Sequence, residues 1–377
     1  MTHQILNKIL TIGKGTPYIC LENTVGQKWY FPFRRMRAYM SLFQPSSLRG
    51  NIVALVLPYL KFFTFLLHYI NASAVRLQFD DVFVGIVENT FGKKDISFSI
   101  FCGSPGKHQK PTIMILSGKQ YLGYCKITDN PEIIHLFREE QRSLDFLKSN
   151  GVEHIPSIIF CAPLLKSQNV WIQLQTTERK HKVELVAFSD IRVIEFVRQM
   201  MANTKVLIEY EDSDFSKAKD NLKHLLSLLN KGWIPFIREK IEEVERRLKS
   251  KSHPYSAYHG DFTPWNSFAV EDHLFVFDFE YFKKTYPLYA DFFHYFTQDQ
   301  IYDKYADAKQ IVDEYYQLKQ TILCDVPNCD FLYMCYILGI MEFYLNRDRG
   351  FLNNRMESIF CIWNEILIRI SNGKDLE

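Results

Sequence analysis

No internal repeat, no low-complexity tract and no dominant charge marks this sequence of 377 residues. Lys plus Arg number 45 against 43 Asp plus Glu, so no overall field draws the molecule toward nucleic acid or a polycation, and electrostatics must act locally. The eight cysteines form no CxxC pair and have no His at metal-ligand spacing, which argues against a cysteine metal cluster. Their apolar neighbours read as reduced thiols of a cytoplasmic protein. The start, MTHQILNKILTIGKG, lacks the apolar core and small-residue cleavage site of a secretory signal, which points the same way. Aromatics, by contrast, are abundant: 31 Phe and 21 Tyr imply large cores or aromatic-lined pockets. With 47% hydrophobic and 23% charged residues the chain reads as globular, long enough for two domains or one bilobal unit.

One apolar stretch, NIVALVLPYLKFFTFLLHYI (51–70), has the length of a bilayer span. Pro58 and Lys61 interrupt it near the middle, where a charge is costly, so a buried helical hairpin broken around Pro58 is the expected arrangement. Arg34, Arg35, Arg37 and Arg49 precede it, and a second expectation is peripheral contact of residues 30–70 with the inner membrane surface.

The chain divides by pattern. Residues 1–94 read as an aromatic and basic helical extension that ends in a short helix stopped by Gly92. From there the period changes: Ile96, Phe98, Ile100 and Cys102 alternate with Ser97, Ser99 and Phe101 as a half-buried strand, and TIMIL and YLGYCKI continue an antiparallel meander. DNPEIIHLFREEQRSLDFLKSNG is a helix with Asp129 or Asn130 as cap, Pro131 in its first turn and Gly151 past its end. Ile133, Phe137, Leu144 and Leu147 form its apolar stripe, and Glu140 lies on that stripe. The strand VWIQLQTT closes a small domain over 95–178. Residues 179–377 are mainly helical, interrupted by a loop and a hairpin (SFAV, EDH, LFVFDF). The architecture is α+β, a small sheet domain with one key helix followed by a larger helical one.

The charged positions carry the chemistry. Lys126 ends the third strand on the face expected to hold Leu122 and Tyr124, and Glu140 is its natural partner. The pair is either a structural ion pair or a phosphate-holding lysine positioned by a helix carboxylate. In AYHGDFTPWNSF and FVFDFEYF, Asp261, Asn266, Asp278 and Glu280 sit among apolar neighbours where a bare carboxylate is costly. An amide and a carboxylate converging on one space suit Mg²⁺, and a further carboxylate opposite can accept a proton from an attacking hydroxyl.

HGDFTPWN followed by VFDFE resembles the HGDxxxxN loop and strand-ending Asp of the aminoglycoside phosphotransferase and choline kinase group, protein-kinase-like enzymes that act on small molecules. The resemblance implies a bilobal kinase-like fold, ATP or GTP as donor and a small-molecule hydroxyl acceptor. It implies Asp261 as catalytic base, His259 as support for the loop, Asn266 and Asp278 as Mg²⁺ ligands, and Lys126 with Glu140 on the donor phosphates. Tyr124 stands where a base-stacking side chain is held, and Ser104 and Gly106, in a glycine turn without GxGxxG, are expected near phosphate. Asp291 is either the acid that braces the loop or a solvated helix residue. Only twelve residues separate Asp278 from Asp291, too few for a peptide-binding activation segment. The acceptor classes in view are a sugar, a glycan intermediate, an amino alcohol or a lipid-linked alcohol. The alternatives are an aminoglycoside-type antibiotic phosphotransferase and a catalytically silent nucleotide-binding scaffold. Asp299, Asp303, Asp307 and Glu314 offer either an acidic acceptor site or a solvated face, and the aromatics from Tyr286 to Tyr302 either a ligand box or core.

Overall fold

The computed structural model of the chain describes residues 5–372 apart from 35, 44, 46–47, 104–108, 165–166, 181–185, 349 and 351. The chain folds into two compact units, Met1–Asp145 with His154–Glu184, and Phe146–Glu153 with Leu185–Glu377.

One antiparallel sheet organises the first unit. Its strands are β1 (Leu10–Glu22), β2 (Lys28–Pro32), β3 (Ala72–Phe79), β4 (Ile96–Phe101), β5 (Thr112–Ser117), β6 (Gln120–Thr128), β7 (Ile158–Leu164) and β8 (Ser167–Thr176), in the order β3-β1-β2-β4-β5-β6-β8-β7. The pleat sorts side chains between two cores: Ile113 and Ile115 go to one face, Met114 and Leu116 to the other. The short helix α1 (Met36–Tyr39) and α2 (Leu48–Leu60) cover the second core through Met36, Tyr39, Val53 and Leu57. Helix α3 (Asp81–Phe91) covers the first with Phe83 and Val87, capped by the Asp80 carboxylate at its start and by Gly92 at φ 61° at its end.

This corrects the expectation of a helical extension over 1–94, because β1, β2 and β3 join the same sheet as β4–β8. The alternation that would have revealed β1 is missing: the register with β3 slips between Ile12 and Thr16, and the residues there are exposed on both faces. The apolar stretch 51–70 is broken as expected, but it is not the buried hairpin expected: Ile52, Leu55, Tyr59, Phe62, Phe63, Phe65 and Tyr69 are exposed, and only Val53, Leu57, Pro58 and Leu67 are buried. Helix α2 ends at Leu60, two residues after Pro58, and the chain resumes as a 3₁₀ segment over Thr64–Ile70. Among the described residues no helix is long and apolar enough to cross a membrane.

Helix α4 (Pro131–Ser149) is capped by Asn130, whose side chain accepts the Glu132 N–H, and buries Ile133, Phe137, Glu140, Leu144 and Leu147. Strand β6 departs from simple alternation. Its register with β5 shifts at Ile115, and Leu122 turns into the core opposite the one that Tyr124 packs on, so Leu122 and Tyr124 do not share a face. Gly123 is required there, since a Cβ would lie 2.0 Å from the Gln175 carbonyl oxygen.

The second unit contains α5 (Ile191–Thr204), α6 (Asp214–Leu225), α7 (Ile234–Leu248), α8 (Ala290–Tyr302), α9 (Ala308–Gln320), α10 (Cys329–Arg347) and α11 (Asn354–Asn372). Strands β9 (Val206–Glu209), β10 (Ser252–Tyr258) and β13 (Lys283–Pro287) form a sheet in the order β13-β10-β9, and β11 (Ser267–Val270) with β12 (His273–Val276) forms a hairpin. Helices α8 and α10 are buried on nearly every side; α10 is accordingly apolar round most of its circumference, whereas α8 also buries polar side chains, Asp291, His294 and Asp299 among them. Phe292, Phe293, Tyr295 and Phe296 are fully buried, so the aromatic run there is core. Asp303 and Asp307 are exposed, Asp307 capping α9, whereas Asp299 is buried.

Candidate active site

In the first unit, β6 and α4 bring Lys126 and Glu140 together. The Lys126 Nζ donates to both Glu140 carboxylate oxygens at 2.9 Å, with both side chains almost wholly buried. A pair so placed loses hydration on both sides and is held by its two hydrogen bonds. Tyr124 lies half-buried, two residues before Lys126. The Arg179 guanidinium donates to its hydroxyl at 2.6 Å and to the Ser41 carbonyl at 3.0 Å. Arg179 was not anticipated, because nothing near it in sequence hints that it crosses to β6. Ser104 and Gly106 lie outside the described residues.

In the second unit the loop between β10 and β11 carries His259, Asp261 and Asn266. Its entry is fixed by Asp291 at the first turn of α8, whose two carboxylate oxygens accept the His259 N–H at 3.1 and 2.9 Å. Asp291 is thus a buried brace and not a solvated helix residue. Burial pushes its carboxyl up to about 8, against the lowering effect of the His259 and Gly260 N–H groups. The His259 ring is buried, with Nδ1 accepting the Asp261 N–H at 3.1 Å and Nε2 donating to the Phe277 carbonyl at 3.0 Å. Burial lowers its pKa to about 4, so the ring is neutral and protonated at Nε2. Gly260 adopts φ 86°, and a Cβ there would stand 2.4 Å from the Tyr281 carbonyl oxygen, so only glycine lets the loop lie this close.

Asn266 reaches back over the loop. Its Nδ2 donates at 2.9 Å to both the Asp261 carbonyl and Asp261 Oδ2, which orients the carboxylate and leaves Oδ1 of the amide as an acceptor. The hairpin then sets Asp278 beside it: Ser267 pairs with Val276, and the Phe277 N–H donates to the Asn266 carbonyl at 3.0 Å. Asp278 itself sits at φ 74°, a left-handed conformation that a non-glycine residue holds only when its surroundings impose it. An amide oxygen and a carboxylate placed on neighbouring strand ends suit a hard divalent cation.

Sequence reading missed His294, one turn after Asp291 on α8. Its Nε2 stands 3.4 Å from Asp261 Oδ1, and its Nδ1 lies 3.4 Å from the hydroxyls of both Tyr258 and Tyr336. Burial raises both phenols well above their ordinary range, so they stay protonated. The signal was a polar residue within the aromatic run Phe292–Phe296.

No protein-family model matches the chain, and no curated protein matches it. Solved structures do. A thermostable mutant of the aminoglycoside phosphotransferase APH(4)-Ia, in a ternary complex with AMP-PNP and hygromycin B, aligns over 78% of this chain and 100% of its own at 10% identity and TM-score 0.50. Choline kinase from Cryptosporidium parvum Iowa II aligns over 78% and 96% at 14% identity and TM-score 0.48. A putative aminoglycoside phosphotransferase from Ralstonia eutropha aligns over 78% and 99% at 12% identity and TM-score 0.48. With an antiparallel sheet unit and a mainly helical one, the chain has the kinase-like α+β fold of the aminoglycoside phosphotransferases.

Proposed function

We propose that this chain is a small-molecule kinase, transferring the γ-phosphoryl group of ATP or GTP to a hydroxyl of a small acceptor. The observation that carries this reading is the Asp261 carboxylate, oriented by Asn266 on a loop locked through His259 and Asp291, with Asp278 set beside Asn266 by the hairpin. Asp261 takes the acceptor's hydroxyl proton as the new O–P bond forms. The bond between the γ-phosphorus and its bridging oxygen breaks, and the nucleoside diphosphate leaves. Asn266 and Asp278 would hold Mg²⁺, which neutralises charge on the donor phosphates when bound. In the first unit, the Lys126 ammonium fixed by Glu140 is itself a group that suits phosphate oxygens.

A small acceptor fits better than a peptide. Between Asp278 and Asp291 the chain is taken up by β13, which pairs with β10 in a sheet. The acceptor class this reading favours is a sugar, a glycan intermediate, an amino alcohol or a lipid-linked alcohol. An acidic site for a polycationic antibiotic is less well supported, since Asp307 is engaged in capping α9.

The test is Mg²⁺-dependent transfer from ATP and GTP to pooled sugars, amino alcohols, nucleosides and aminoglycosides, with wild type beside Asp261→Asn. Turnover with one non-aminoglycoside pool that the variant lacks supports the reading, and turnover with aminoglycosides alone replaces its acceptor class. Nucleotide binding with no turnover on any pool would make the chain a silent scaffold.

A further inference from the structure

We propose that the first unit carries a docking surface for an anionic lipid bilayer, formed by the exposed side of α2 and the 3₁₀ segment that follows it. The observation is a concentration of exposed apolar side chains. Leu48, Ile52, Leu55 and Tyr59 recur at helical spacing along one side of α2, and each is more than half exposed. Val53 and Leu57, on the other side, are buried in the sheet's second core. The exposed row does not end with the helix: Phe62, Phe63, Phe65 and Tyr69 continue it, again each more than half exposed. These eight are half of all the large apolar and aromatic side chains exposed among the described residues. A contiguous patch of that kind marks an interaction site.

Charge selects the occupant. Residues 23–79 contain no Asp or Glu, while Lys28, Arg34, Arg35, Arg37, Arg49, Lys61 and Arg76 all fall within them. In a chain whose charges nearly balance overall, the longest stretch free of acids is the stretch that exposes the apolar row. Arg34, Arg37 and Arg49 are exposed. Arg37 holds its guanidinium 4.8 Å from the centre of the Tyr59 ring, and the Lys61 Nζ lies 4.9 Å from that of Phe62, so cations and rings share one surface. Cations beside tyrosine and phenylalanine, flanking an aliphatic row, are what the headgroup and upper acyl layers of an anionic bilayer accommodate. Helix α2 is about 20 Å long, too short to cross that bilayer and long enough to lie along it.

The test uses the full chain in co-sedimentation with vesicles of phosphatidylcholine alone and of equimolar phosphatidylglycerol and phosphatidylcholine. The wild type is expected to pellet with the anionic vesicles and to be released as salt is raised. Replacing Leu55, Phe62 and Phe65 together by serine should weaken partition about tenfold or more, with the circular dichroism spectrum unchanged. Arg37→Gln and Arg49→Gln, which leave the apolar row in place, should each lower the preference for anionic vesicles about fivefold. Wild type that ignores both vesicles, or binds them equally, overturns the proposal. So does a serine variant that dissociates a dimer in ultracentrifugation without changing vesicle binding, since the surface would then join two copies of the chain. Nucleotide binding on the same samples keeps this outcome separate from the fate of the kinase assignment.

Discussion

His259 satisfies both ring nitrogens only when neutral, and its burial holds the pKa at about 4 against an ordinary 6.5. Between those values the unfolded chain binds a proton that the native ring refuses. The stabilisation His259 provides is therefore complete above about 6.5 and lost as pH falls toward 4. Asp291 works the other way. Its carboxyl, raised to about 8 from 3.8, keeps a proton in the folded state that the unfolded chain releases, so its contribution declines as pH rises through that window. The two slopes oppose each other between about 4 and 6.5, and variants separate them. The stability difference between wild type and His259→Gln, from urea titrations, should grow by about 3 kcal/mol from pH 4 to 6.5. The difference between wild type and Asp291→Asn should shrink toward pH 8. A second prediction concerns His294, whose Nε2 stands 3.4 Å from Asp261 Oδ1 and would position that carboxylate in the proposed reaction. His294→Asn should lower kcat about tenfold to a hundredfold while leaving the KM for nucleotide unchanged. A purely structural role would instead lower the unfolding midpoint and spare kcat.

At the scale of elements, the segments that carry the proposed site residues were the most legible. Lys126 and Glu140 met because a strand of period two and a helix of period 3.6 each had one charged residue on a buried face. Asn266 and Asp278 come to neighbouring ends of one hairpin because the hairpin between them is short and has turn residues at its centre. What stayed hidden depended on distant partners. Strands β1 to β3 show little alternation of their own and are recruited by a neighbour, and Arg179 reaches Tyr124 across 55 positions of sequence. Leu122 was assigned to the wrong face because a bulge resets the period within β6. The β6–α4 pair yields a third prediction. Glu140→Leu alone strands a buried ammonium and should cost about 3–5 kcal/mol in urea unfolding. Adding Lys126→Met should recover most of that loss, because the pair is then replaced by apolar side chains of similar size. If the lysine serves the donor phosphates, the double variant folds yet binds nucleotide at least tenfold more weakly. A double variant that binds normally would reduce the pair to a structural bridge.

For the molecule as a whole, composition predicted a globular chain with enough core for two compact units, and two are present. Composition could not foresee where charge would be withheld, since a net +2 is an average over an acid-free stretch near the start and acid-bearing helices later. The same averaging hides the site, where Asp261, Asp278 and Asp291 have three different environments. That difference makes a global measurement informative about single residues. A ligand that binds only the folded state raises stability by about 2.7 kcal/mol at a hundred times its Kd. Mg²⁺ with a non-hydrolysable ATP analogue should therefore raise the wild-type melting temperature by about 2–4 °C. Asp261→Asn should keep that gain, because in the proposed reaction the base would act on the acceptor and not on the nucleotide. Asp278→Ala should lose it, and EDTA should remove it from the wild type. A gain that survives in Asp278→Ala, or that EDTA leaves untouched, would withdraw the metal proposed at Asp278 while leaving the proposal for Asp261 in place.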